Sequence, residues 1–189
     1  MTYFALIFTA VFINNMALTQ FFGVGILLFA PDNQKQSLWL SAALVVITTL
    51  SAAVCYLLDI LLRVWDVHFL TLLIDVTVIA IIVEAAVFVL RRIAKSCFSK
   101  KQPLAGWFVS NATILAAVNL ATQSDYTFSG ALASAASAAA GVLLVMALFT
   151  AIRQQLLLAD VPPSFRGAPI ELVTLGILAM AFAGFLGIS

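Results

Sequence analysis

Leu38-Trp39-Leu40-Ser41-Ala42-Ala43-Leu44-Val45-Val46-Ile47-Thr48-Thr49-Leu50-Ser51-Ala52-Ala53-Val54-Cys55-Tyr56-Leu57-Leu58-Asp59-Ile60-Leu61-Leu62 is a continuous apolar run whose one charged residue, Asp59, stands near its end. A helix needs about 20 such residues to cross a bilayer. The run does not alternate apolar with polar, so it reads as a helix and not as a strand of a membrane barrel. Five further stretches read the same way: residues 3–30, 69–90, 104–121, 129–152 and 169–188. Polar or Pro-containing breaks separate them, among them Pro31-Asp32-Asn33-Gln34-Lys35-Gln36 and Gln123-Ser124-Asp125. The expected fold is an all-α integral membrane protein of six transmembrane helices, forming one domain over residues 1–189.

Composition agrees. Of 189 residues, 64% are hydrophobic and 9% are charged, against about 25% charged in a soluble domain. Mean hydropathy is +1.16. A soluble enzyme, a nucleic-acid binder and a disordered chain are excluded, because a small domain cannot hide that much apolar surface. The net charge of +1 points to no charged partner. One His and two Cys are too few for a metal cage of those residues built by this chain alone. The first stretch lacks a basic leader and an A-x-A site, so it reads as a span and not a cleaved signal peptide.

Basic residues set the orientation. With the N-terminus outside, the inner loops hold eight of them: Lys35, Arg91, Arg92, Lys95, Lys100, Lys101, Arg153 and Arg166, against Arg63 alone outside. Both termini are therefore expected on the outer side of the membrane. Three spans per half then place the halves in opposite orientations, as in inverted-repeat membrane proteins. The repeats would cover about 1–95 and 100–189. Asn15 in Phe-Ile-Asn-Asn-Met and Asn111 in Phe-Val-Ser-Asn-Ala hold matching places in the first and fourth spans.

Polar groups inside spans are the candidate sites. The first stretch is overlong and carries Phe22-Gly23-Val24-Gly25. Gly23 and Gly25 loosen the backbone, which fits either a broken helix lining a site or a tilted helix packed at Gly. Glu84 lies about two turns from Arg91. It is either part of an ion path, or a structural group that snorkels toward the inner interface or pairs with a neighbour. Asp75 is nine residues earlier, about 900° around the helix, so the two carboxylates face opposite sides. Asp59 and Asp66 are expected to be solvated near the outer interface, His68 to be an interface residue, and Glu171 to complement the dipole of the last helix. Asn14 and Asn119 read as bonds between helices. Gly130, Ser134 and Ala138, with Ser137 and Gly141, form small-residue packing faces. Cys55 and Cys97 lie too far apart across the bilayer to pair, and no C-x-x-C occurs.

Two segments carry a resemblance. Ala159-Asp160-Val161-Pro162-Pro163-Ser164-Phe165-Arg166-Gly167 resembles the A-D-V-P-x-x-F-R-G loop of the Rnf/Nqr membrane-subunit family, in its RnfA/NqrE branch. Asn14-Asn15-Met16-Ala17-Leu18 followed by Phe21-Phe22-Gly23 is similar to that family's N-N-x-x-L-x-x-F-L-G segment. The resemblance implies a non-catalytic membrane subunit, without catalytic residues of its own, of a redox-driven ion translocase. Such a complex couples electron transfer involving NADH, ferredoxin or quinone to Na⁺ or H⁺ movement. It implies a sister subunit of RnfE/NqrD type, flavin- and iron–sulfur-carrying subunits, and a shared [2Fe–2S] cluster held by cysteines. It also marks Asp160, Pro162, Phe165, Arg166 and Gly167 as the family loop.

The chain departs from the family at the two cysteine positions, which are Gly25 and Ala112 here. Neither residue can ligate iron. The family's Glu near the basic end of the third span is Val87 here, with Glu84 expected on roughly the same face. The ion-path or helix-break candidates are Glu84, Asn15, Asn111, Gly23 and Gly25. The competing reading is an inverted-repeat transporter, channel or scaffold subunit without a redox cofactor.

Overall fold

The computed structural model describes residues 3–28, 31, 33–93, 108, 112–123 and 126–185. Those residues are helical apart from short turns. The first segment comprises α1 (Tyr3–Phe8), a π-helical turn (Thr9–Ile13), α2 (Met16–Thr19) and α3 (Val24–Leu28). α4 (Gln34–Val64) and α5 (Thr71–Ile93) follow, joined through a 3-10 turn at His68–Leu70. After α6 (Ala112–Gln123) come α7 (Phe128–Leu156), a 3-10 turn at Pro163–Phe165, and α8 (Ala168–Ala183).

Among the described residues three helices, α4, α5 and α7, are long and apolar enough to cross a membrane. Shorter apolar helical segments occupy Phe4–Thr19, Ala112–Thr122 and Ala168–Ala183. Parts of the fourth and sixth expected spans, 104–107, 109–111 and 186–189, lie outside the described residues. Cys97 and most of the expected inner loop around it lie outside them too.

Helix ends follow local chemistry. The Asn33 side chain accepts from Lys35 N at 3.0 Å and caps α4 just before the apolar run begins. An Asn cap satisfies an amide that the first turn leaves unpaired. α4 passes Arg63 and stops at Trp65, where Asp66 takes a positive φ of 57°. Gly167, with φ of 82°, turns the chain into α8, and Pro169 sits in that helix's first turn. A side chain other than glycine's would be strained there.

The core lies between α4 and α7, which run antiparallel. Ser37 Oγ and Thr150 Oγ1 share a hydrogen bond of 2.8 Å at one end. At the other, Tyr56 OH donates to the Tyr126 carbonyl at 3.1 Å, and the Tyr56 ring meets Phe128 edge-on. α7 approaches closely because its buried face is made of small residues: Gly130, Ser134, Ser137, Ala138 and Gly141 are all buried. That surface therefore serves this chain's own packing. α1, its π turn and α2 lie against α7, and α6 fills the angle between α4 and α7. α5 packs chiefly on α4 and stays peripheral.

Candidate functional site

The break in the first segment is built around Asn15. The helix first widens: Asn14 N reaches back five residues to the Thr9 carbonyl at 2.7 Å. Such π turns are often found at functional sites. Asn15 then leaves helical geometry, at φ −70° and ψ 111°, and caps α2 by accepting from Ala17 N at 3.0 Å. Its amide donates to the Val11 carbonyl at 2.8 Å and to the Gly141 carbonyl of α7 at 2.9 Å. Asn15 is fully buried. One side chain thus ends the helix before it, starts the helix after it, and pins both to α7. A second turn follows, where Phe21 (φ 55°) and Gly23 (φ 87°) precede α3.

The interruption therefore lies mainly at Asn14 to Gly23, earlier than the Gly pair suggested. Gly25 is helical, inside α3. Asn14 is exposed and approaches Thr19 Oγ1 at 3.4 Å. Asn111 lies outside the described residues.

Glu84 is not near Asn15. It is exposed on the outward side of α5, whereas Val87 is buried in the core. The expectation that these two positions share a face is corrected: α5 is peripheral, and its core side runs through Asp75, Ile79, Val83, Val87 and Leu90. Asp75 and Glu84 do face opposite ways, one buried and one exposed.

The residues present do not fit the iron–sulfur cluster. Gly25 is exposed, and a Cβ built there meets nothing within 4 Å. Ala112 is exposed at the start of α6. Both positions open to the surface, as a group shared with another subunit would need, but neither offers a donor atom. Cys55 is buried on α4. No group of three or more His, Cys, Asp or Glu side chains placed to hold a metal ion occurs among the described residues.

A polar pocket escaped the sequence reading. Asp59, Thr71, Asp75, Asn119 and Thr122 line a cavity of about 160 Å³ between α4, α5 and α6. Asp59 is 5% exposed and Asp75 is 2% exposed. Asp59 is thus not solvated as expected. It accepts from Arg63 Nε at 2.8 Å and approaches Thr71 Oγ1 at 3.5 Å. The Asp59/Arg63 spacing of four was legible in the sequence, but Asp75 joining it from another helix was not. By contrast, the groove between α4 and α5, about 510 Å³ and lined by residues such as Trp39, Val46, Ile82 and Val89, is apolar and offers no chemistry.

The loop motif closes the other end of the molecule. Arg166 Nε donates to the Val161 carbonyl at 2.9 Å, and Phe165 N donates to the Pro162 carbonyl at 2.9 Å. Gly167 supplies the positive φ that α8 needs, while Asp160 and Phe165 are exposed. The loop flanks a cleft of about 410 Å³ in which Arg153 Nε meets Glu171 Oε1 at 2.8 Å. Glu171 is 7% exposed, so it does more than complement a dipole: it ties the end of α7 to the first turn of α8.

Residues 3–189 match the model of the family described as Rnf-Nqr subunit, membrane protein. The chain belongs to the Rnf-Nqr family. It is similar to the A-type subunit of the ion-translocating oxidoreductase complex of Pseudoalteromonas translucida, 30% identical over 98% of this chain and 97% of that protein. The corresponding protein of Serratia proteamaculans is 31% identical over 100% of this chain and 98% of that protein. That of Pseudomonas paraeruginosa is 31% identical with the same coverage, 100% and 98%. In this Rnf-Nqr chain the structure places a helix junction at Asp160 to Gly167 and a helix break at the Asn14-Asn15 segment.

Proposed function

We propose that this chain is the A-type membrane subunit of an ion-translocating oxidoreductase complex of Rnf type, in a bacterial inner membrane. The whole-chain match, with relatives of that name covered over at least 94% of their own length, carries the reading. The complex couples electron transfer involving NADH, ferredoxin or quinone to Na⁺ or H⁺ movement. The chain crosses the bilayer six times as two inverted repeats, with both termini outside. Its neighbours are a sister subunit of RnfE/NqrD type and subunits carrying flavin and iron–sulfur groups.

Within that complex the chain supplies architecture and not electrons. Gly25 and Ala112 support this, since neither can hold iron. Asn15, buried at the broken segment, and Gly23 supply a non-helical backbone inside the bilayer, the kind of place where transporters expose amides and carbonyls to an ion. Asp160, Pro162, Phe165, Arg166 and Gly167 form the loop that joins α7 to α8, and Arg153–Glu171 ties the two helices.

The test is purification of the complex from native membranes through a tag on this chain. Redox subunits identified by mass spectrometry, and loss of redox-driven ion uptake in vesicles from a deletion strain, are the expected results. Full uptake in the deletion strain overturns the reading. Iron analysis of the chain alone is expected to find none bound.

A further inference from the structure

α5 is the least enclosed of the long helices: 22% of its apolar stretch is buried, against 56% for α7. Its outward side carries Thr77, Glu84 and Arg91, all exposed. They recur every seven residues, so they fall in one stripe that drifts only ~20° per repeat. Leu73 and Phe88 beside them are 68% and 61% exposed.

Glu84 does not belong on a lipid-facing surface. α5 has 23 residues, and Glu84 sits about 3 Å from its midpoint at 1.5 Å per residue. It makes no hydrogen bond or ion pair with any described residue. Arg91 is roughly 10 Å further along the axis, so a Glu side chain cannot snorkel to that end. Charged groups at mid-bilayer are heavily penalised when they face lipid. Turning α5 gives no relief, because its opposite side would then carry Asp75 out of the core.

The geometry points to the Thr77–Glu84–Arg91 face of α5 as the docking surface for a transmembrane helix of another subunit of the complex. That helix presents a basic or amide side chain at the depth of Glu84. A lipid headgroup is not the occupant, because headgroups lie about 15 Å from the midplane. A second copy of this chain is not, because two-fold pairing through this face sets Glu84 against Glu84. An ion path that uses Glu84 then runs between subunits and not through this chain's core. The inference rests on the complex proposed above.

The test uses the assembled complex in native membranes, with a photoreactive phenylalanine analogue at Phe88 and, separately, at Thr77. The cross-linked peptide is expected to come from one transmembrane helix of a different subunit and to contain Lys, Arg, His, Asn or Gln near the link. Glu84→Leu is expected to lower co-purification about tenfold, the size of a lost interhelical hydrogen bond, while Glu84→Gln keeps most of it. The isolated Glu84→Leu chain is expected to be at least as heat-stable as the parent, which separates lost docking from misfolding. Links to lipid alone, links to a second copy, or normal assembly of Glu84→Leu overturn the docking surface while leaving the complex intact. If the unmodified chain co-purifies with no other subunit, the complex reading falls and the docking surface falls with it.

Discussion

The side-chain amide of Asn15 donates to the Gly141 carbonyl at 2.9 Å, joining positions 126 apart in the chain. A Cβ at Gly141 would lie 3.0 Å from that amide nitrogen and 3.2 Å from the Ala10 carbonyl. The broken first segment and the small-residue face of α7 are thus fitted to each other, and each makes the other's residue type necessary.

Gly141→Ala is expected to destabilise the protein by about 1–3 kcal/mol, the usual cost of overpacking. Gly176→Ala is the control, because a Cβ there meets nothing within 4 Å. It should leave stability unchanged or raise it by up to about 1 kcal/mol, since Ala is the better helix residue. Thermal unfolding in detergent or nanodiscs measures both. Equal effects would contradict the tight contact.

Asn15→Ala removes a helix cap and two donated hydrogen bonds, at an expected cost of about 2 kcal/mol. Asn15→Asp should be worse, although it keeps an acceptor for Ala17 N. It sets a carboxylate against the carbonyls of Val11 and Gly141, which in the parent accept hydrogen bonds from the Asn15 amide. Limited proteolysis at the break, ranked parent, Ala, Asp, checks the order.

Breaking the Arg153–Glu171 pair from one side leaves the other charge half-enclosed. Glu171→Gln is expected to cost about 3 kcal/mol. The double variant Arg153→Met/Glu171→Leu should cost less than the sum of its singles. Denaturation of the single and double variants gives the coupling, and strict additivity would show that the contact contributes nothing.

Cys55 is buried and should resist alkylation while the protein is folded. The chain has two cysteines, so Cys97→Ser leaves Cys55 as its single thiol. A membrane-permeant maleimide is expected to label it only after denaturation. Rapid labelling in intact membranes would contradict the packing of α4.

Much of this was legible from the order of residues alone. Long apolar runs must become helices in lipid, because no water is there to pair their backbone groups. The helical fold class, the long spans, the small-residue faces of α7 and the opposed directions of Asp75 and Glu84 follow from run length and the 100° step. The resemblance to the Rnf-Nqr family was carried by Asp160 to Gly167 and the Asn-Asn segment, and it implied cysteines where Gly25 and Ala112 stand. Other points needed the folded chain. Asn15, not Gly25, proved to be the centre of the break, since its partner lies on α7. Asp59 and Asp75 meet across helices in one pocket, and Arg153 finds Glu171 across a loop. Val87 faces the core while Glu84 faces out, because α5 packs on α4 with only one side. Local sequence determines what each segment must become, since propensity, capping and hydration act within a few residues. Which side chains meet depends on the rotation and depth of each helix against its neighbours, and those are set by packing between positions far apart in the chain.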